Sequence, residues 1–246
     1  MKILVLLLML TTCAADYQDL TGKMFTFPQE GNKAHVRLNT PKQNFKVVTV
    51  CHRSFTDLKR NHGLFSLATP NYFNGFLIYY NYSSREMEPY VRDSRSKYGG
   101  LDYKPNVWHS ICTTWDSGSG LMQLWFNGQP LTKKYVSSGE ISGRPIIILG
   151  QEQDSHGGKF DPTQSFVGMM TDVHMWDYAL SACEIQKYMD EQNFTPGNVL
   201  NWAALDFQIT DRVLIESKQM TCHLNICTMF SQTQLIRRFR SSLGVN

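Results

Sequence analysis

Short apolar runs, alternating with polar residues or rich in β-branched ones, recur along the chain, and Gly, Asn, Pro or Asp closes most of them. Met24-Phe25-Thr26-Phe27-Pro28 and Ala34-His35-Val36-Arg37-Leu38 read as short strands on either side of Gln29-Glu30-Gly31-Asn32. Phe45 to Cys51 is a clearer strand, followed by Leu64 to Ala68 and Gly75 to Tyr80, joined through residues 69–74. Val107 to Trp115 and Leu121 to Phe126 come next, and the Asn127-Gly128 pair that follows marks a tight hairpin. Ile146-Ile147-Ile148-Leu149 is apolar throughout, the pattern of a buried strand. Asn198 to Trp202 and Ala204 to Ile209 complete the set. Strands at this spacing, with turns rather than helices between them, predict an all-β sandwich or jelly roll.

One segment changes period. Ser181-Ala182-Cys183-Glu184 has the spacing of a capping box, and Ile185, Tyr188 and Met189 share one helical face, which predicts a short helix over residues 182–191.

Length adds little beyond allowing one large β domain or two small ones in 246 residues. The first 15 residues add more. Lys2, the apolar run Ile3 to Leu10 and the small Cys13-Ala14-Ala15 read as a secretory signal, so the mature protein is expected to be secreted. No later segment reaches the ~18 apolar residues of a membrane span. Outside the cell disulfides persist, and five cysteines remain after the signal: Cys51, Cys112, Cys183, Cys222 and Cys227. An odd number leaves one thiol free or paired with another chain. Lys218, Arg237, Arg238 and Arg240 make residues 218–246 a basic, acid-free extension, expected to be poorly ordered. Without these and Lys2 the body carries 19 cations against 21 acids, so no nucleic-acid partner is indicated for it.

The candidate chemistry follows Leu149. Glu152, Asp154 and Asp161 share about fifteen residues with the amides of Gln151, Gln153 and Gln164, and only Lys159 is close in sequence to offset the charge. On the residues alone two readings stand: a solvated acidic loop, or a site for a hard divalent cation, which wants about six to eight oxygens. Gly157-Gly158 would let the loop fold back on itself. The spacing is not that of an EF-hand. Ser155-His156 beside Asp154 does not make a triad by adjacency. Glu152 and Asp154 could pair as glycosidase carboxylates, but the amides around them suit coordination better. No histidines have zinc-ligand spacing, and the five tryptophans read as core. Asn81-Tyr82-Ser83 is an N-glycosylation acceptor, and Asn193-Phe194-Thr195 a poorer one because Pro196 follows.

Several blocks then point to one family. Cys112-Thr113-Thr114-Trp115-Asp116-Ser117 resembles the core of the pentraxin signature, His-x-Cys-x-Ser/Thr-Trp-x-Ser/Thr. Ile148 to Ser155, Val173 to Asp177 and Val199 to Leu205 resemble that family's later blocks, in the same order, over residues 23–217. The similarity is to short pentraxins of the C-reactive protein and serum amyloid P type. It implies a domain over residues 16–217 folded as a flattened, lectin-like jelly roll of two antiparallel sheets with one helix, usually assembled as a homopentamer. It also implies two calcium ions per subunit that capture phosphocholine, phosphoethanolamine or sugars, with complement initiation proteins engaged on the opposite face. Carried over position by position, Asn74, Glu152, Gln153 (through its carbonyl), Asp154, Asp161 and Gln164 fall on calcium-ligand positions, and Tyr79 on an aromatic position of the ligand pocket. Cys51 and Cys112 match the family's disulfide, whose loop of about 60 residues would add roughly 4 kcal/mol in the chain-entropy model.

Two departures matter. Phe73 stands where the family often has an Asp, so the calcium shared with Asn74 is expected to bind weakly. Ser110 occupies the signature histidine position, and His109, one step away on the other face of a strand, is assigned no role. The implied function is a calcium-dependent pattern-recognition lectin of innate immunity and the acute phase, not an enzyme. The alternatives are an adhesion module without phosphate preference and a carbohydrate-active enzyme.

Overall fold

The apolar alternation becomes two antiparallel sheets. The structure is a computed structural model that describes residues 17–218. The expected signal at 1–15, and the tail with Cys222 and Cys227, lie outside the described residues. The strands are β1 (Lys23–Phe27), β2 (His35–Leu38), β3 (Val47–Phe55), β4 (His62–Ala68), β5 (Phe76–Asn81) and β6 (Glu86–Val91). They continue with β7 (Ser94–Arg95), β8 (His109–Asp116), β9 (Leu121–Phe126), β10 (Gln129–Pro130) and β11 (Lys134–Tyr135). After them come β12 (Ile146–Leu149), β13 (Gly168–Trp176), β14 (Phe207–Thr210) and β15 (Leu214–Ser217), with helix α1 (Ala182–Met189) between β13 and β14.

The first sheet runs β10-β9-β8-β3-β13-β1-β15, with β11 also paired to β9, and the second runs β14-β2-β12-β4-β5-β6-β7. Strand alternation sends every second side chain between them. Val48 and Val50 of β3, Ile111 and Trp115 of β8, and Met170 and Met175 of β13 meet Val36, Leu38, Phe76, Ile78, Ile147 and Leu149 of the second sheet in one core. The residues of opposite parity on β3 and β8 face outward, where α1 covers them. Ile185, Tyr188 and Met189 pack with Cys51, Cys112, Trp125 and Trp176 in a second, smaller core.

Cys51 and Cys112 lie directly opposite each other on β3 and β8 and form a disulfide. Cys183 is exposed and forms no disulfide among the described residues. Asn127 and Gly128 take φ of 47° and 82°, the left-handed pair that a tight hairpin needs, between β9 and β10. At α1, Ser181 caps the helix by accepting from the Glu184 N–H (3.2 Å), but the reciprocal half of the box is absent. The Glu184 carboxylate instead takes Lys187 Nζ (2.7 Å) and the Thr195 N–H (2.8 Å), and the helix ends at Met189 rather than 191.

One expected strand is absent, and others, β13 and β6 among them, were not foreseen. Asn198 to Trp202 is not a strand: Leu200 makes a single bridge to Met175, and Asn201 caps a 3-10 turn over Trp202–Ala204 through its side chain. In β6 it is Pro89 that hides the strand pattern. The strand tolerates the proline beside the two-residue β7, where the Pro89 carbonyl still accepts from Ser96 N–H (3.0 Å). His109 is buried, stacked on Phe126 and bonded to Asn127 and the Lys104 backbone, a structural filler.

Candidate functional site

The acidic loop is built outward from the end of β12. Gly150 turns the chain at φ +92°, and a Cβ there would stand 2.3 Å from the Phe27 ring, so only glycine fits. Gln151 then anchors the loop by donating to the carbonyls of Gly31 and Ala34, both at 2.9 Å. Glu152 lies back against β4, where Gly63 leaves it room: a Cβ on Gly63 would come within 3.2 Å of Glu152 Cβ. The Gln153 side chain points inward, donating to Ser66 O (3.0 Å) and Ile146 O (3.0 Å) and accepting from Gly157 N–H (3.0 Å). With its amide so committed, what Gln153 can offer an ion is its main-chain oxygen.

The loop closes as its glycines suggest. Ser155 and Gly158 exchange two backbone hydrogen bonds of 3.2 Å around Gly157, at φ +87°. Asp161 caps the 3-10 turn Pro162–Gln164, accepting from Thr163 N–H (2.9 Å) and hydroxyl (2.8 Å). Arg60, which sequence reasoning passed over, clamps this end by donating to Thr163 O (3.0 Å) and Ser165 O (2.7 Å) while pairing with Glu30 (3.0 Å).

Glu152, Asp154 and Gln164 meet Asn74 and Tyr79 in one pocket of about 290 Å³. Asp161 stands outside its lining but near enough that its charge acts on Glu152. The remaining wall is the outward face of the β5–β6 hairpin, where Tyr79 lies opposite Glu88 and Leu77 opposite Tyr90. Asn61, Asn81 and Arg95 complete it. Glu88, Tyr90 and Arg95 were missed with their strand; the alternation Glu86-Met87-Glu88-Pro89-Tyr90-Val91 was the signal, and its proline concealed it. The Glu88 carboxylate is nearly sealed from solvent and saturated by Arg95 (2.9 Å), Asn81 Nδ2 (3.2 Å), the Tyr90 hydroxyl (3.5 Å) and Lys97 (3.7 Å). What this wall presents to the pocket is therefore the half-exposed Arg95 guanidinium and two phenols. Burial pushes the Tyr79 phenol up to about 12, so it stays neutral.

The acidic side is the reverse. Glu152 is 4% exposed, and no salt bridge among the described residues reaches Glu152, Asp154 or Asp161. Burial, then the charges of Asp154 and Asp161, push the Glu152 carboxyl up to about 7. Asn74 Oδ1, also facing this region, is buried without a partner. An orphaned buried acceptor costs about 1–3 kcal/mol, and so does not persist without a reason. Phe73 turns to solvent, and the carboxylate beside Asn74 is that of Asp93, which accepts the Asn74 N–H (2.8 Å). Among the described residues no three His, Cys, Asp or Glu side chains converge on a point. The donors here are mixed carboxylate, amide and main-chain oxygens, a set that suits calcium and not zinc. The histidines take no part: His52, His62 and His174 are buried, and burial pushes them down to about 3, 4 and 4.

The raised Glu152 carboxyl has a measurable sign. The folded chain holds this proton more tightly than the unfolded one, so its stabilisation is complete below 4.5 and lost as pH rises through about 7. The three histidines act oppositely, with stability present above 6.5 and lost as pH falls toward their lowered values. In chelator, Glu152→Gln is therefore expected to exceed the wild type by roughly 3 kcal/mol at pH 8 and to match it near pH 4.5. Urea unfolding at both pH values checks this, and a pH-independent difference would contradict it.

A model of the Pentaxin family matches residues 23–217. The chain is 41% identical over 211 residues to serum amyloid P-component of Cavia porcellus, covering 81% of this chain and 89% of that protein. It is 40% identical over 205 residues to serum amyloid P-component of Homo sapiens, with coverage of 81% and 89%. Among solved structures it is similar to a native heptameric SAP-like pentraxin from Limulus polyphemus, at a TM-score of 0.75 and 25% identity, covering 83% of this chain and 99% of that one.

Proposed function

The chain belongs to the pentaxin family, and from that premise we propose that it is a secreted, calcium-dependent lectin whose pocket takes phosphocholine, phosphoethanolamine or sugar groups on microbes and damaged cells. As a family member it is a pattern-recognition protein of innate immunity and not an enzyme. The observation that carries the calcium reading is the pairing, in one pocket, of an uncompensated buried carboxylate with an orphaned amide oxygen, Glu152 and Asn74 Oδ1.

Glu152, Asp154, Asp161, Gln164, Asn74 Oδ1 and the Gln153 main-chain oxygen are the atoms we assign to two calcium ions. Calcium, when bound there, supplies a hard dication that shares its coordination between protein oxygens and a ligand phosphate or vicinal hydroxyls. The residues around it orient the ligand. Tyr79 and Tyr90 offer flat apolar faces to a carbon chain or sugar ring, and Arg95 stands at the edge as a second contact for anionic groups. Secretion rests on the leader-like residues 1–15, and no helix among the described residues is long and apolar enough to cross a membrane. Assembly into a closed ring, for which we propose five copies, would add avidity on repetitive surfaces, and complement initiation proteins are the proposed partners of the opposite face.

Binding to immobilised phosphocholine, with calcium and then with a chelator, tests this reading. Capture in calcium and release in chelator are expected. Binding that ignores the chelator would favour an adhesion module, and the proposal would fall.

A further inference from the structure

The glycosylation acceptor Asn81-Tyr82-Ser83 falls at the pocket just described, which its sequence position did not reveal. Asn81 is the last residue of β5, half-buried, and lines the pocket with Tyr79 and Glu88. The chain then turns. Ser84 N–H bonds Asn81 Oδ1 (3.2 Å), Arg85 N–H bonds Tyr82 O (3.3 Å), and Asn61 Oδ1 takes Tyr82 N–H (2.9 Å). Tyr82 and Ser83 are exposed at this turn. One of the two Nδ2 hydrogens of Asn81 goes to the Glu88 carboxylate at 3.2 Å. A primary amide has a second.

We propose that Asn81 carries an N-linked glycan rooted in the wall of the ligand pocket, and that this glycan restricts capture of ligands on dense surfaces while sparing small soluble ones. The gating half rests on the pocket reading given above; the occupancy half does not. The chemistry balances with one co-reactant, a lipid-linked oligosaccharide diphosphate met during secretion. Asn81 Nδ2 bonds to the anomeric carbon of the sugar, the bond from that carbon to the diphosphate oxygen breaks, and one amide proton is lost. The remaining N–H keeps its bond to Glu88, so the modification leaves the buried carboxylate satisfied. The exposed Tyr82 ring stands next to the attachment point, where it can pack against the first sugar. A bulky, hydrated chain at this rim leaves room for a monovalent ligand. It obstructs the close approach of a surface to several subunits at once, which is the geometry avidity requires.

Ser83→Ala is the informative variant, since it removes the acceptor but keeps Asn81 and its bond to Glu88. The full chain would be produced in a secreting animal cell line, and the peptide bearing Asn81 examined by mass after glycosidase treatment in heavy-oxygen water. Labelled conversion of Asn81 to Asp is expected in the wild type and not in the variant. Calcium-dependent capture on densely coated phosphocholine beads is expected to rise on the order of ten-fold in Ser83→Ala, because many weak contacts multiply. The affinity for free phosphocholine, measured in solution by calorimetry, should stay the same for both. An unmodified Asn81 in secreted protein overturns the proposal. An occupied Asn81 with equal capture by both forms overturns the gating. If neither form binds, the gating falls together with the pocket reading, while the occupancy stands on its own mass data.

Discussion

Glu152→Gln is expected to abolish calcium-dependent ligand binding. The substitution keeps shape and one acceptor oxygen, turns the other oxygen into an NH2 donor, and removes the most enclosed charge of the acidic loop, the one held 4% exposed against Gly63. Sites of this kind tune affinity through carboxylate count, so calcium affinity should fall by roughly two orders of magnitude or more. The contrast with stability makes the result hard to mistake for misfolding. In chelator above pH 7 the same variant should be the more stable protein, because it no longer keeps an uncompensated charge in a buried place. Calcium titration by calorimetry, alongside capture on phosphocholine, would show it; undiminished capture would refute the assignment of Glu152.

Replacing both Cys51 and Cys112 by Ala is expected to cost about 4 kcal/mol, from a closed loop spanning 61 positions. That is a large share of the ~5–15 kcal/mol that holds a typical domain together. The cystine lies under α1 between Trp125 and Trp176 on the outer face of the first sheet, whereas the pocket opens on the outer face of the second. Urea midpoints should therefore drop sharply while calcium-dependent capture by the still-folded fraction is kept. Loss of capture at temperatures where the variant remains folded would show that the two faces are coupled.

How much of this was legible beforehand depended on how local each signal was. The loop from Glu152 to Gln164 stood out because its donors are contiguous and its turn chemistry, Gly157-Gly158, is explicit, but the residues alone left a solvated loop and a cation site equally open. Asn74 and Tyr79 could be placed only through the family's blocks, since nothing in the sequence near either residue marks it as a pocket residue. Glu88, Tyr90 and Arg95 escaped because their role is set by cross-strand register, Tyr79 opposite Glu88, and Pro89 hid the strand that sets it. Arg60 escaped because a clamp on carbonyls from residues 163 and 165 is purely tertiary. The stretch at Asn198 to Trp202 misled for the converse reason: its apolar pattern is real, but the Asn201 side chain competes with the ladder and closes a turn.

The pocket and helix α1 occupy opposite outer faces of a two-layer sandwich, with the two sheets and their core between them. A subunit seated on its target therefore turns the helix side toward the surrounding fluid, whatever the target is. Under the proposed reading, binding would need no internal rearrangement to be sensed from outside, because bound copies would present a two-dimensional density of helix faces that a single free molecule in solution does not.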